Sequence, residues 1–188
     1  MPHLTRDEIE MMGFAALGAD VAISRDARIY RPERIRIGDR VRIDDFCILS
    51  GKLEIGSNVH LAPGVQLAAG AGCIRMGDFS GCAFNVVITA STDDYSGASL
   101  TNPTVPEAFK TGKVVADVDI GRHVIIGAGS IVLPGAQVGE GAAIGALSLV
   151  KGDVESWSIQ AGAPLRRLSE RQRDALALEA AYRDGLAS

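Results

Sequence analysis

Aromatic residues are scarce in this chain: one Trp, three Tyr and five Phe among 188 residues, although 47% of the chain is apolar. A core must therefore be filled by aliphatic side chains, and the length suits one globular domain. No run of Lys or Arg stands out. With 19 basic and 23 acidic residues the net charge is -4 and the pI about 5.4, which argues against nucleic acid as a partner. No apolar stretch approaches the roughly 18 residues of a membrane span, so no membrane partner is expected. The N-terminal "MPHLTRDEIEMM" places acids where a signal peptide would be basic and then apolar. The expected location is cytoplasmic. Cys47, Cys73 and Cys82 cannot all pair with one another and show no C-x-x-C spacing. They read as buried thiols in a reducing compartment, and no metal is expected.

What the chain has in abundance is a repeat. Aliphatic residues recur every six positions at Ile37, Ile43, Leu49, Ile55, Leu61 and Leu67, with Gly38 and Gly56 following two of them. After a three-residue slip the phase resumes at Met76, Cys82 and Ile88. It returns at Ile120, Ile126, Val132, Val138, Ile144 and Val150, with Gly121, Gly127, Gly139 and Gly145 beside four of these. Neither the helical spacing of three and four nor the strand spacing of two explains a period of six. A coil of short strands and tight turns does, with one side chain per flat side pointing inward and stability coming from stacked neighbours.

The segments "IGRHVI IGAGSI VLPGAQ VGEGAA IGALSL V" and "WSIQAGAPLRRL" resemble the hexapeptide-repeat acyltransferases, over about residues 20 to 168. The resemblance implies an all-β solenoid, a left-handed parallel β-helix, and usually a homotrimer. Its handedness comes from the family, since periodicity does not fix it. The expected organisation is an N-terminal capping helix over 1–19, a β-helix over 20–168 with an extruded loop over 90–117, and a C-terminal helix over 169–188. Thr5 and Glu8 have capping-box spacing ahead of Ile9, Met12 and Leu17. Ser169 and Gln172 suggest a second box, with Gly185 as a stop after Asp184.

The family places acetyl-CoA in a groove between neighbouring solenoids. By resemblance, Ala128 and Ala146 would let its pantetheine arm approach the backbone, while Lys151 and Arg166 fall where basic side chains meet the nucleotide phosphates. "AGAPLRR" has Leu165 where Ala is common in the family.

About 32 residues separate Ile88 from Ile120 where six would serve, so about 26 must leave the solenoid, and loops that long are usually functional. Asn102-Pro103 and Val105-Pro106 stiffen the segment. In the family a loop here reaches the adjacent subunit and shapes the acceptor site. Laying "FNVVITASTD" on the galactoside and xenobiotic acetyltransferase pattern puts Asn85 on that pattern's Asn and Asp93 where its catalytic His stands. Base candidates are therefore Asp93 and Asp94, as adjacent carboxylates, and His60, whose side chain suits proton transfer near neutrality. His123 reads as an outward turn residue on the surface, and His3 belongs to the terminal cap. Asn85, Asp93, Asp94 and Tyr95 are the candidate acceptor contacts. The "DDYSG…LTNP" wording resembles sugar acetyltransferases of surface-polysaccharide pathways.

The resulting expectation is direct acyl transfer from acetyl-CoA to a hydroxyl or amino group of a sugar, including one linked to a nucleotide. No Ser or Cys has the neighbouring His of a covalent route, and Cys82 takes an inward position. Two alternatives share the fold: a non-catalytic trimeric scaffold and a γ-type carbonic anhydrase, whose zinc needs three His ligands across a subunit boundary.

Overall fold

The computed structural model describes residues 2–186. The repeat folds as a left-handed parallel β-helix with three flat faces, each coil using three hexapeptides. On the first face the inward positions stack as Leu17, Ile37, Ile55, Met76, Ile120 and Val138, in parallel register. On the second they stack as Ile23, Ile43, Leu61, Cys82, Ile126 and Ile144. Ile29, Leu49, Leu67, Ile88, Val132 and Val150 form the third. Nearly all of these are buried, so the period of six is the core itself.

Between the faces the chain turns through left-handed corners. One corner stacks Asp20, Arg40, Asn58, Phe79, His123, Gly141 and Trp157, the six non-glycine residues all at φ near +55°. A non-glycine residue held there costs about 1–2 kcal/mol, and rung-to-rung bonds such as His123 N to Asp78 O at 3.0 Å offset it. Side chains reinforce the stack: Asp78 accepts from Ser57 N at 2.8 Å and Ser57 Oγ from Asp39 N at 3.0 Å.

The three-residue slip has a visible cause. The long strand Gln66–Met76 bulges against Ile48–Ile55, whose register jumps from Ser50 opposite Ala68 to Lys52 opposite Cys73. The bulge lies directly beneath the neck of the long loop: a Cβ on Gly70 would stand 2.2 Å from Ser91 Oγ. That neck is a short antiparallel ribbon, Ser91–Thr92 against Val114–Val115. Its return is tied down by Asp117, which accepts from Cys73 N and from Arg75, both at 2.9 Å.

Both ends are covered. Helix α1, Arg6–Met11, carries the Thr5–Glu8 capping box and buries Ile9. It is shorter than the apolar spacing suggests, because Gly13 takes φ +76° and Leu17 joins the first strand. At the other end the Ser169–Gln172 box does not form. Residues Arg166–Glu170 instead make an antiparallel strand on Ser158–Ala161, giving the last coil's open edge a partner. Helix α2, Ala175–Leu186, follows and continues through Gly185, which is therefore no stop. It packs along the corner of Phe79 and His123, where Tyr182 Oη donates to Asn58 Oδ1 at 3.0 Å and Arg183 reaches Asp78 at 3.2 Å. His123 is consequently buried, not on the surface as its turn position suggests: α2 roofs it, and Glu179 Oε2 bonds its Nε2 at 2.6 Å. Among the described residues, no helix is long and apolar enough to cross a membrane.

Candidate active site

His60 sits on the outward side of the second face, one coil above Arg42. Between them lies Asp44, 2% exposed, whose carboxylate accepts from Arg42 Nε at 2.7 Å and pairs with His60 Nε2 at 2.8 Å. Burial would raise the Asp44 carboxyl, but the hydrogen bonds from His60 and Arg42 and the guanidinium charge outweigh it and hold the group below its usual range. An ionised Asp44 accepts only, so the Nε2 facing it carries the proton. In the neutral ring Nδ1 is then the basic nitrogen, on a side chain that is half exposed. Asp44 was not singled out from the sequence. The repeat contains the signal, since Arg42 and His60 are separated by one coil and the residue between them in space must answer both.

The adjacent carboxylates of the loop have different surroundings. Asp94 accepts from Ser96 N at 2.7 Å, Ser99 N at 2.9 Å and Ser99 Oγ at 3.1 Å. The Ser96 hydrogen bonds lead in holding its carboxyl down to about 2. Ser99 Oγ in turn accepts from Gly112 N, so Asp94 knots the loop across its width. Asp93 uses one oxygen, Oδ2, to accept from Asn102 N at 3.1 Å, and borders a cavity of about 360 Å³ with Lys110 and Lys113. Tyr95 is fully out in solvent at 93% exposure. Asn85 is a corner residue at φ +56°, its amide oxygen lying over Gly64. No hydrogen bond or ion pair among the described residues joins His60 to Asp93 or Asp94. His60 lies on the second face, whereas the loop leaves the next coil after its third-face strand Val87–Thr89.

Ala128 and Ala146 stack at one corner, where Leu147 N donates to Ala128 O at 2.9 Å. There the corner residues Phe84 and Leu147 and the strand residues Ile125 and Ile131 are exposed. Lys151 borders a cavity of about 550 Å³ with Gln160, Ala163 and Pro164. Arg166 lies beside that wall, opposite Ala161, and does not line the cavity. Burial pushes the Cys47 thiol up to about 11 and Cys82 to about 12, which leaves neither as a thiolate nucleophile. The three histidines are held apart, His3 by the N-terminal strand edge, His60 by Asp44 and His123 by Glu179. Among the described residues no three His, Cys, Asp or Glu side chains are placed to hold a metal ion.

An aliphatic β-helix with stacked small residues at one corner, an extruded loop carrying carboxylates and an Asp-oriented histidine defines a class, the left-handed β-helix acyltransferases. Residues 115–152 match the family model "Bacterial transferase hexapeptide (six repeats)". The chain is 40% identical over 186 residues to an Escherichia coli dTDP-4-amino-4,6-dideoxy-D-glucose acyltransferase, covering 97% of this chain and 96% of the relative. Among solved structures it superposes on AntD, an N-acyltransferase from Bacillus cereus in complex with dTDP and 3-hydroxybutyryl-CoA, with a TM-score of 0.96 and 41% identity over 99% of this chain and 98% of that one. A galactoside O-acetyltransferase of Lactococcus lactis is 31% identical over 123 residues, 59% of each chain. The chain belongs to the hexapeptide-repeat transferases and is an acyltransferase of the sugar-modifying branch. A non-catalytic scaffold is thereby set aside.

Proposed function

We propose that the protein transfers an acetyl group from acetyl-CoA to the amino group of a nucleotide-linked amino sugar, by direct attack in a ternary complex. The observation that carries this reading is the likeness to AntD over 99% of the chain, because that span includes the loop on which acceptor choice depends. His60 acts as the base. The acceptor's ammonium first gives one proton to solvent; its nitrogen then attacks the thioester carbonyl as His60 Nδ1 takes a second, the C–S bond breaks, and the protonated ring returns that proton to the departing CoA thiolate. Asp93, with one oxygen unbonded, receives the acceptor's amine, while Asp94 and the exposed Tyr95 shape the loop around it. Asn85 holds the corner on which the loop strand begins.

Because His60 lies on the second face and the loop bearing Asp93 leaves the next coil after its third-face strand, they meet on one acceptor across a boundary between subunits. A homotrimer supplies that boundary, and Phe84, Ile125, Ile131 and Leu147 are the apolar residues it would cover. CoA then runs past Ala128 and Ala146 towards Lys151 and Arg166, whose cations suit its phosphates. The reading includes a cytoplasmic place in surface-polysaccharide or related carbohydrate biosynthesis, supported by the wording of the loop.

Calorimetric titration with acetyl-CoA, followed by mass spectrometry of a dTDP-linked 4-amino sugar after turnover, tests the proposal. One cofactor site per subunit and a product heavier by one acetyl group are expected. Absence of CoA binding at millimolar concentration would remove it.

A further inference from the structure

The cavity beside Asp93 holds charges of both signs that the transfer chemistry does not use. Lys110 is 8% exposed in a loop with little core to bury it, and its Nζ touches one acid, Glu107, at 2.6 Å. Glu107 is itself a rim residue, its side chain 76% exposed, and the hydrogen bond from Lys110 keeps its carboxyl below the usual range. An ammonium has three donors, and this pairing occupies one. Lys113 borders the same cavity; it makes no close ion pair among the described residues, though its charge helps hold the Glu107 carboxyl down. Among the described residues, the second carboxylate oxygen of Asp93 accepts no hydrogen bond. A short 3-10 turn at Glu107–Phe109 and the backbone bond from Lys113 N to Lys110 O at 3.4 Å fix the spacing of the two lysines.

We propose that Lys110 and Lys113 form the subsite for the diphosphate of the acceptor, with Asp93 taking its ammonium end, so that one cavity selects a molecule carrying both charges. The inference rests on the nucleotide-sugar reading above and assigns its specificity to three loop residues. A neutral glycoside would cover Asp93 and Lys113 without offering either an ionic partner, an expensive outcome for groups of this kind. A nucleoside-diphosphate amino sugar satisfies them. Its phosphate oxygens replace Glu107 at Lys110 and engage Lys113, exchanging a rim ion pair for charge-assisted bonds.

The test is calorimetric titration of the whole protein with thymidine diphosphate alone, comparing wild type with Lys113→Gln, Lys113→Arg and Lys110→Met, and free CoA serving as the reference ligand. Lys113→Gln should bind thymidine diphosphate about tenfold more weakly, the loss of one charge-assisted bond. Lys113→Arg should stay near wild type, and CoA affinity should be the same in all. In turnover, KM for the nucleotide amino sugar should rise in Lys113→Gln with kcat held. Since Lys113 is exposed, its replacement leaves the fold intact even where Lys110→Met disturbs the loop. Wild-type affinity for thymidine diphosphate in both Lys113→Gln and Lys110→Met would overturn the subsite while acyl transfer by the wild type upheld the proposed function. Failure of the wild type to acylate any nucleotide amino sugar would instead defeat that function.

Discussion

Asp44 and His60 meet across one turn of the coil at 2.8 Å, the acid 2% exposed and the imidazole on the surface. The pair has the form of a base held by a buried orienting group, with Arg42 keeping the acid ionised from its other side. His60→Gln should lower kcat by about a hundredfold, the low end for general-base catalysis, with KM for acetyl-CoA unchanged. Asp44→Asn should cost about tenfold in kcat, because the ring is no longer fixed with Nδ1 free. Steady-state kinetics decide it: wild-type kcat in both variants would assign the base elsewhere.

The loop carboxylates should separate by phenotype. Asp94→Ala removes the acceptor of three loop hydrogen bonds, so limited proteolysis should cut between residues 93 and 112 faster, with little change in Tm of the solenoid. Asp93→Ala should leave proteolysis near wild type and raise KM for the acceptor. The folded carboxyl of Asp94 is depressed to about 2, so its contribution to loop order is complete above the ordinary carboxylate range and is lost as pH falls towards 2. Loop protection in the wild type should therefore persist to below pH 4.

At the roof, Glu179 answers Arg122, His123 and Arg183 together. Burial would raise its carboxyl, and the bonds from Arg183 and His123 outweigh that and lower it. Its stabilising effect is thus present above the usual glutamate range and fades on acidification below it. Glu179→Ala strands a buried imidazole and should cost about 1–3 kcal/mol, read as a lower urea midpoint at pH 7. A loss confined to pH values below 4 would contradict the assignment.

Gly64 takes φ +78°, and a Cβ there would stand 2.1 Å from Asn85 Oδ1. Gly64→Ala should destabilise by about 1–3 kcal/mol. Part of that should return in Gly64→Ala/Asn85→Gly, which removes the clash and leaves only the backbone strain. A double mutant no better than the single one would show that Asn85 does not occupy that space.

The coil was readable from Ile37 to Val150 because one inward residue per hexapeptide is a demand of packing, repeated often enough to see. The Thr5–Glu8 box was readable because a cap is local. His123 misled for the opposite reason. Its turn conformation follows from neighbouring residues, while its burial depends on α2, which returns from more than fifty positions later. Ser169 and Gln172 carry cap spacing, yet the open edge of Ser158–Ala161 captured the segment as a strand. Asp44 is legible only once the coil register sets Arg42 opposite His60, and Lys110 has Glu107 at a local spacing of three that does not by itself reveal the cavity the lysine borders. For Asn85, Ala128 and Ala146, corner geometry and ligand contact ask for the same small or left-handed residues, so the letters alone do not separate the roles.

The bulge at Gly70 and the loop neck at Ser91 are one construction in two places along the chain, since the first makes room for the second. A designer who wished to transplant acceptor preference from a relative would therefore have two segments to move, residues 69–72 and 90–117, with Arg75 retained to moor Asp117. Exchanging the long segment by itself would seat a foreign neck on a ledge cut for this one, and the graft should fail at its foundation before its chemistry is ever tested.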